Sequence, residues 1–240
     1  MDIAVFHAVP LEARVLAKGL SNPTRAKAPS GRTAVCGDLG RHRVCCIETG
    51  VGKVNASMSA ALALAQYRPE IAISMGIGGA YPNSGLNVGD IAVADCEIYG
   101  DEGVMLKDNF LSLRDIGIAF YQTGITKYYN TFTFDTKLTG RLYDTVSQKY
   151  KNTRSGAFVT VSTCTGTKER AAELIKRYNG ICENMEGAAL AHICTIFNIP
   201  AVEIRGISNI AADRDKDSWD IPKASQIAQD AVIMFVKSLE

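Results

Sequence analysis

The sequence of 240 residues has few histidines, no Cys-x-x-Cys pair and no long hydrophobic run. Its histidines, His7, His42 and His192, are too scattered to suggest a zinc site. No apolar stretch approaches the roughly 20 residues that cross a bilayer. The N-terminal MDIAVFHAVPLEA has neither a basic leader nor a signal-peptide core. We therefore expect no metal or other cofactor, no membrane association and a cytoplasmic location.

An excess of charge of either sign is also missing. Lys and Arg number 26 and Asp and Glu number 25, which leaves a formal charge of +1. Such a balance gives no general attraction to nucleic acid or anionic lipid, so the expected partner is a small molecule. The seven cysteines are an odd number without metal-ligand spacing, and we expect them to be reduced. The length fits one domain over residues 1–240.

Short apolar runs alternate with amphipathic stretches along the chain. Strands are predicted at 3–8, 44–48, 71–75, 90–94, 156–162, 180–183 and 201–207, and helices from residue 11 and at 54–65, 138–149, 168–178, 185–197 and 222–239. This alternation predicts a layered α/β sandwich. The segments TGVGK at 49–53 and GIGGA at 76–80 are predicted to be tight turns, and residues 100–133 a long loop.

The helix predicted after TGVGK has many apolar residues, and its periodicity favours one inward face. The residues expected on this face are Val54, Met58, Ala61, Leu62 and Ala65.

Several acids lie beside apolar segments, where an unpaired buried carboxylate is unfavourable and a partner is expected. They are Glu12, Glu183 and Glu186. Glu203 and Arg205 share one face of the strand predicted at 201–207, because strand side chains alternate. Taken singly, each of the three acids is better explained by a surface or helix N-terminal role, and Glu203 with Arg205 by a structural ion pair.

Two longer segments carry a family resemblance when they are taken together. CENMEGAALAHIC at 182–194, followed by VEIRGISNIAAD at 202–213, resembles the purine nucleosidase and phosphorylase superfamily. AVPLEA with Glu12, TGVGKVNA and MGIGGAYPNSGLNVGDIAVAD extend the resemblance over nearly the whole chain. Within the superfamily the sequence is most similar to the futalosine hydrolases, and next to the methylthioadenosine/S-adenosylhomocysteine nucleosidases.

This resemblance implies a fold, an assembly and an activity. The fold is a three-layer αβα sandwich around a twisted, mixed central sheet. The assembly is a homo-oligomer, a homodimer or larger, in which partner residues often complete the 5′ end of the site. The activity is cleavage of the N-glycosidic bond of a nucleoside, with no cofactor.

The resemblance also implies roles for individual residues. Glu186 would bind the ribose 2′ and 3′ hydroxyls and Met185 would pack on the sugar. Glu12 would be the general base for the attacking water, with Arg205 near both. Further substrate contacts are expected from Gly78, Ile77, Phe158, Thr163, Cys164 and Trp219.

Residues that differ from the family pattern indicate which purine is released and which nucleophile attacks. Asn209 stands where adenine-cleaving nucleosidases carry Asp, and its amide suits a 6-oxopurine, because it donates to the 6-oxo oxygen and receives the N7 proton. Ser74 and Ile77 stand where phosphorylases carry an arginine and a hydroxyl residue for phosphate, so we expect water as the nucleophile. Ile77 also removes the serine with which many nucleosidases hold water, and Asn184 replaces their glutamate.

The predicted reaction is therefore hydrolysis of a 6-oxopurine nucleoside, namely futalosine, to hypoxanthine and dehypoxanthine futalosine, a step of menaquinone biosynthesis. The alternatives are a methylthioadenosine/S-adenosylhomocysteine nucleosidase, a phosphate-dependent nucleoside phosphorylase and a non-catalytic nucleoside-binding protein.

Overall fold

The computed structural model of the protein describes residues 1–239. Within that range the strands are β1 (Ile3–His7), β2 (Ser21–Lys27), β3 (Thr33–Leu39), β4 (His42–Glu48), β5 (Ile71–Ala80), β6 (Ile91–Tyr99), β7 (Gly103–Met105), β8 (Phe110–Ser112), β9 (Tyr121–Thr123), β10 (Thr126–Tyr128), β11 (Thr131–Thr133), β12 (Thr153–Thr160), β13 (Cys182–Asn184) and β14 (Ala201–Ile210). The helices are α1 (Arg14–Gly19), α2 (Lys53–Tyr67), α3 (Thr136–Ser147), α4 (Lys168–Tyr178), α5 (Gly187–Phe197) and α6 (Ile221–Ser238).

Ten of the strands form one mixed central sheet. Their order is β11-β6-β12-β13-β5-β1-β4-β3-β2, and β14 pairs with both β5 and β6. Strand β14 runs parallel to β5 and antiparallel to β6. Because β5 also pairs with β13, β13 with β12 and β12 with β6, five strands form a closed ring. The strands of this ring are β5, β13, β12, β6 and β14.

Helices cover both faces of the sheet. Side chains of β1 alternate between two apolar clusters: Ala4 and Phe6 pack with residues of α2 and α5, whereas Ile3 and Val5 pack with residues of α1, α3 and α6. The predicted three-layer αβα sandwich around a mixed sheet is therefore confirmed.

The glycine-rich segments differ from each other in structure. Gly50 and Gly52 have φ angles of 85° and 92°, which confirms the tight turn between β4 and α2. The turn predicted at 76–80 is wrong, because β5 continues through GIGGA to Ala80, paired with β14. The sequence also failed to predict β2 and β3, and residues 100–133 contain five short strands rather than one long loop.

The inward face predicted for α2 is also wrong. Val54, Met58 and Leu62 are 82%, 44% and 42% exposed, Ala61 is half-buried and Ala65 is exposed. The buried residues of the helix are Ala56, Ser59, Ala60, Ala63 and Leu64. This face packs against α5, whose Ala188, Ala189 and Ala191 lie in the same cluster, so small side chains allow close approach of the two helices.

The prediction that all cysteines are reduced is wrong for two of them. Cys36 of β3 and Cys45 of β4 are opposite each other in the antiparallel pairing and form a disulfide. Cys46, Cys96, Cys164, Cys182 and Cys194 are free thiols. Across residues 1–239 no group of acidic, histidine or cysteine side chains could hold a metal ion. None of the helices in this range has the length and hydropathy needed to span a membrane.

Candidate active site

The 3₁₀ turn Pro10–Ala13 places Glu12 beyond the end of β1, as expected. Its side chain is buried, and three backbone N–H groups donate to it. Oε2 accepts from Ala8 at 2.9 Å and Val9 at 3.2 Å, and Oε1 accepts from Ile77 at 2.9 Å. The carboxylate is therefore fixed between the end of β1 and the glycine-rich part of β5.

Arg205 of β14 lies next to Glu12, with only Gly76 between them. A Cβ at Gly76 would lie 2.7 Å from both Arg205 Nη1 and Glu12 Oε1. Arg205 Nε donates to Glu203 Oε1 at 2.7 Å, and Nη1 is 3.6 Å from Glu186 Oε2. Burial opposes the charge of Arg205, but the carboxylates of Glu203, Glu186 and Glu12 raise its pKa above the usual range. The ion pair of Glu203 with Arg205 is confirmed, and it is part of a larger cluster.

Glu186 occupies the N-cap position of α5 and joins this cluster to the turn before α2. Its Oε1 accepts from the N–H of Gly52 at 2.8 Å, and its Oε2 faces Arg205. Burial raises the pKa of Glu186, although Arg205 acts in the opposite direction. Met185, the preceding residue, is half-buried. One carboxylate oxygen of Glu186 therefore accepts a backbone hydrogen bond, and the other forms an ion pair with Arg205.

Asn209 lies near the end of β14, just after a shift of its register with β5. Its Oδ1 accepts from Ser208 Oγ at 2.8 Å, and its Nδ2 donates to the carbonyl of Ile210 at 3.3 Å. The side chain lies over Gly79, where a Cβ would be 3.1 Å from Nδ2. Because an amide has two N–H groups and two lone pairs, one donor and one acceptor remain available to a ligand.

A second group of polar side chains lies next to the cluster around Arg205. Only Asn184 of this group was named from the sequence, whereas Glu97 and Thr160 were missed. Thr160 Oγ1 is 2.8 Å from Glu97 Oε2, and Asn184 Nδ2 donates to Glu97 Oε1. Asn184 Oδ1 accepts from the N–H groups of Glu186 at 3.0 Å and Gly187 at 2.7 Å. The available signal was an acid inside the apolar strand IAVADCEIY, since unpaired acids are rarely buried completely.

The remaining predicted substrate contacts have different surroundings. Phe158 is 0% exposed within an apolar cluster and presents no surface to a ligand in this structure, in contrast to the prediction. Thr163 and Cys164 follow β12 and are exposed. Gly78 lies against Cys182 and Ile77 is half-buried. Trp219 is half-buried, with the guanidinium of Arg214 at 4.8 Å from its ring.

Several known proteins are similar to this chain in sequence. A profile of the phosphorylase superfamily matches residues 2–239. A futalosine hydrolase of Thermus thermophilus is 35% identical over 178 residues, covering 74% of each chain. A 5′-methylthioadenosine/S-adenosylhomocysteine nucleosidase of Staphylococcus epidermidis is 27% identical over 206 residues, covering 85% of each chain.

A solved structure matches the whole chain. It is the 5′-methylthioadenosine/S-adenosylhomocysteine nucleosidase of S. pneumoniae with a transition-state inhibitor, at 27% identity and a TM-score of 0.84, covering 100% of both chains. The chain belongs to the phosphorylase superfamily. Within it, the protein is a nucleosidase, an enzyme that hydrolyses N-glycosidic bonds.

Proposed function

We propose that this nucleosidase cleaves 6-oxopurine nucleosides and that its substrate is futalosine, with hypoxanthine as the leaving base. The observation that carries the proposal is the free donor and acceptor of Asn209, which complement a 6-oxo oxygen and a protonated N7. A carboxylate at this position could not donate to the oxo group. The 35% identity to a futalosine hydrolase supports the same choice.

Two of the three carboxylates around Arg205, Glu186 and Glu12, act on the ribose and on the attacking water. Glu186 accepts the ribose hydroxyls, with Met185 beside the sugar, and Glu12 takes the proton of the attacking water. Positive charge develops on the ribose as the glycosidic bond breaks, and buried carboxylates stabilise it in place. Asn209 contacts the departing purine, and Arg205 faces Glu186 at the ribose. Residues of β14 therefore lie at both ends of the glycosidic bond.

Water is favoured over phosphate by the charge of the site. Glu12, Glu186 and Glu203 surround the single guanidinium of Arg205, which already faces two of them. A phosphate dianion here would lack a compensating cation, and Ser74 and Ile77 supply none. Desolvating a dianion among carboxylates is strongly unfavourable, whereas neutral water is not affected in this way.

The second candidate is cleavage of methylthioadenosine or S-adenosylhomocysteine. The 85% coverage of the S. epidermidis relative and the match to the S. pneumoniae structure favour it. Base preference separates the two candidates, because adenine presents a 6-amino donor where hypoxanthine presents an oxo acceptor.

A second copy of the chain would complete the site. Val54, Met58 and Leu62 form an exposed apolar stripe on α2 with spacing of one helical turn. The helix begins beside Gly52, which holds Glu186. A homodimer that buries this stripe would bring partner residues next to the ribose site. In our proposal Trp219 contacts the 5′ group of the substrate, and Thr163 and Cys164 contact the purine.

The testing experiment measures release of free base from futalosine, inosine and methylthioadenosine, each with and without phosphate. We expect phosphate-independent release of hypoxanthine from futalosine. The matched variant Glu12→Gln keeps the size of the side chain but removes the base, so turnover should fall by about 10²–10⁴-fold while substrate still binds. Adenine release would support the second candidate, and a requirement for phosphate would contradict hydrolysis.

A further inference from the structure

Two carboxyl groups near Arg205 are completely buried, and neither contacts the substrate in the proposed reaction. Glu97 of β6 and Glu203 of β14 are both 0% exposed. A Cβ on Gly187 would meet Glu97 Oε1 and would lie 2.5 and 2.6 Å from the two oxygens of Glu203. The carboxyl groups therefore face each other across the first residue of α5. Two like charges this close in an apolar interior do not both ionise.

The hydrogen bonds of Glu203 are incomplete unless a proton lies between the pair. Glu203 Oε1 accepts from Arg205 Nε at 2.7 Å. Its Oε2 is buried and has no hydrogen-bond donor among the described residues. An unsatisfied carboxylate oxygen in such a position is strongly unfavourable. A proton on Glu97 would supply the missing donor.

The environment of Glu97 identifies Oε1 as the oxygen that carries this proton. Asn184 Nδ2 donates to Glu97 Oε1, and the amide orientation is fixed because Asn184 Oδ1 accepts two backbone N–H groups. A protonated carboxyl oxygen can accept from Asn184 and donate to Glu203 at once. An amide nitrogen cannot do both, which gives a way to test the arrangement.

Burial is the largest cause, and the charge of Glu203 the next, that raises the pKa of Glu97 well above its ordinary value. Hydrogen bonds from Thr160 and Asn184 lower this pKa by a smaller amount. The other titratable groups that face the pair are Arg205, Glu186, Cys96, Tyr99, Cys182 and Cys194. Burial raises the pKa of the three thiols and of the phenol, so all four are neutral near pH 7. Arg205 and Glu186 are the charged neighbours.

We propose that Glu97 and Glu203 share one proton and act as a positioning pair for Arg205 and Glu186. The shared proton fixes Glu203, which orients the guanidinium through Nε, so that Nη1 faces Glu186. On the other side, Asn184 links Glu97 to the backbone N–H of Glu186. The catalytic consequence rests on the proposed function, whereas the shared proton is a property of the folded chain.

The first test is the pH dependence of stability. The folded protein holds a proton on Glu97 that the unfolded chain has lost near neutrality, so stability falls as pH rises. One such proton lowers the folding equilibrium constant about tenfold per pH unit. Glu97→Gln and Glu203→Gln should each remove this one-proton slope, since the amide that Glu203→Gln introduces would donate to an ionised Glu97. Denaturant unfolding of both variants and wild type between about pH 6 and 8 measures the difference.

A matched control is Glu173→Gln. Hydrogen bonding to Arg170, with Arg177 nearby, lowers the pKa of Glu173, so it is ionised in both states and the slope should be unchanged. If Glu97→Gln and Glu203→Gln retain the wild-type slope, the shared proton is refuted. Where a variant does not fold, isotope-edited infrared spectra of the wild-type protein still decide, because absence of a Glu97 or Glu203 carboxylic-acid band near neutral pH overturns the proposal.

Kinetics separate positioning from a merely structural role. The amide that Glu97→Gln introduces cannot both accept from Asn184 and donate to Glu203, and loss of one buried hydrogen bond corresponds to about a tenfold effect. Glu97→Gln should therefore raise the KM for nucleoside about tenfold more than Glu203→Gln, which preserves the pairing with reversed polarity. Equal effects would contradict the positioning role. If no nucleoside is cleaved at all, the proposed function fails while the stability slope still tests the pair.

Discussion

Gly76 lies between Glu12, the proposed general base, and the guanidinium of Arg205. The methyl group that Gly76→Ala introduces should push these two side chains apart. The new Cβ would lie 2.7 Å from Arg205 Nη1 and from Glu12 Oε1, and 3.2 Å from Glu12 Cδ. Reaching an ordinary contact of 3.4 Å requires a displacement of about 0.7 Å. Neither side chain can relax freely, because Glu12 is held by three backbone donors and Arg205 by Glu203.

A displacement approaching 1 Å in a catalytic group lowers the rate by about 10²-fold, which equals about 2.7 kcal/mol of transition-state stabilisation. Overpacking of the buried site should also destabilise the fold by about 1–3 kcal/mol. Base release under saturating substrate gives kcat, and thermal unfolding shows that the variant is folded. The matched control is Gly140→Ala in α3, where a Cβ meets nothing within 4 Å, so kcat should not change. A folded Gly76→Ala enzyme with wild-type kcat would refute the proposed catalytic contact between Glu12 and Arg205.

Three further predictions test other parts of the site. Asn209→Asp should shift preference from 6-oxopurine towards 6-aminopurine nucleosides, and an unchanged ratio of kcat/KM values for inosine and methylthioadenosine would contradict the role of the amide. Because burial raises the pKa of Glu186, ribose binding should weaken as pH falls through that raised pKa, at a higher pH than for an ordinary glutamate. The acid limb of the kcat/KM profile measures this effect, which should be absent from Glu186→Gln. Met58→Glu places a charge in the exposed stripe of α2 and should convert a homodimer to monomers in sedimentation experiments, whereas an unchanged mass would place the interface elsewhere.

The sequence predicted elements whose pattern is local. Helix α4 has the predicted bounds, 168–178, because its amphipathic spacing and its Thr167 cap lie within the segment itself. The inward face of α2 was not predictable in the same way, since nearly every residue there is apolar or small. Tertiary contact with the alanines of α5 decides which side is buried, so Val54 and Met58 point outward.

The course of β5 shows a different limit. Three glycines within five residues are typical of a turn, but pairing with β14 keeps the segment extended up to Ala80. Glycine is required at 76 and 78 because neighbouring side chains occupy the space of a Cβ. Strand β2 was missed because it is exposed along its whole length and has no alternation of polar and apolar residues.

The site residues were identified to different extents. Glu12 and Glu186 could be named because they stand in segments with a family resemblance, and the structure places both around Arg205. Glu97 stood outside those segments, and its pairing with Glu203 depends on the pairing of β6 with β14 and on the position of Gly187 of α5 between the two side chains. Such a contact between distant segments has no local signature in a single sequence.

The closed ring of strands has a consequence for the order in which the protein folds. Strand β14 is the last strand in the chain, yet it joins β5 and β6, which lie more than a hundred residues earlier. Closing so large a loop is entropically unfavourable, and folds dominated by such pairings form slowly. Arg205 and Asn209 both belong to β14, so a nascent chain has no assembled site until its C-terminal part is made. Catalytic competence should therefore appear late in refolding, together with ring closure and after the hairpin of β3 and β4.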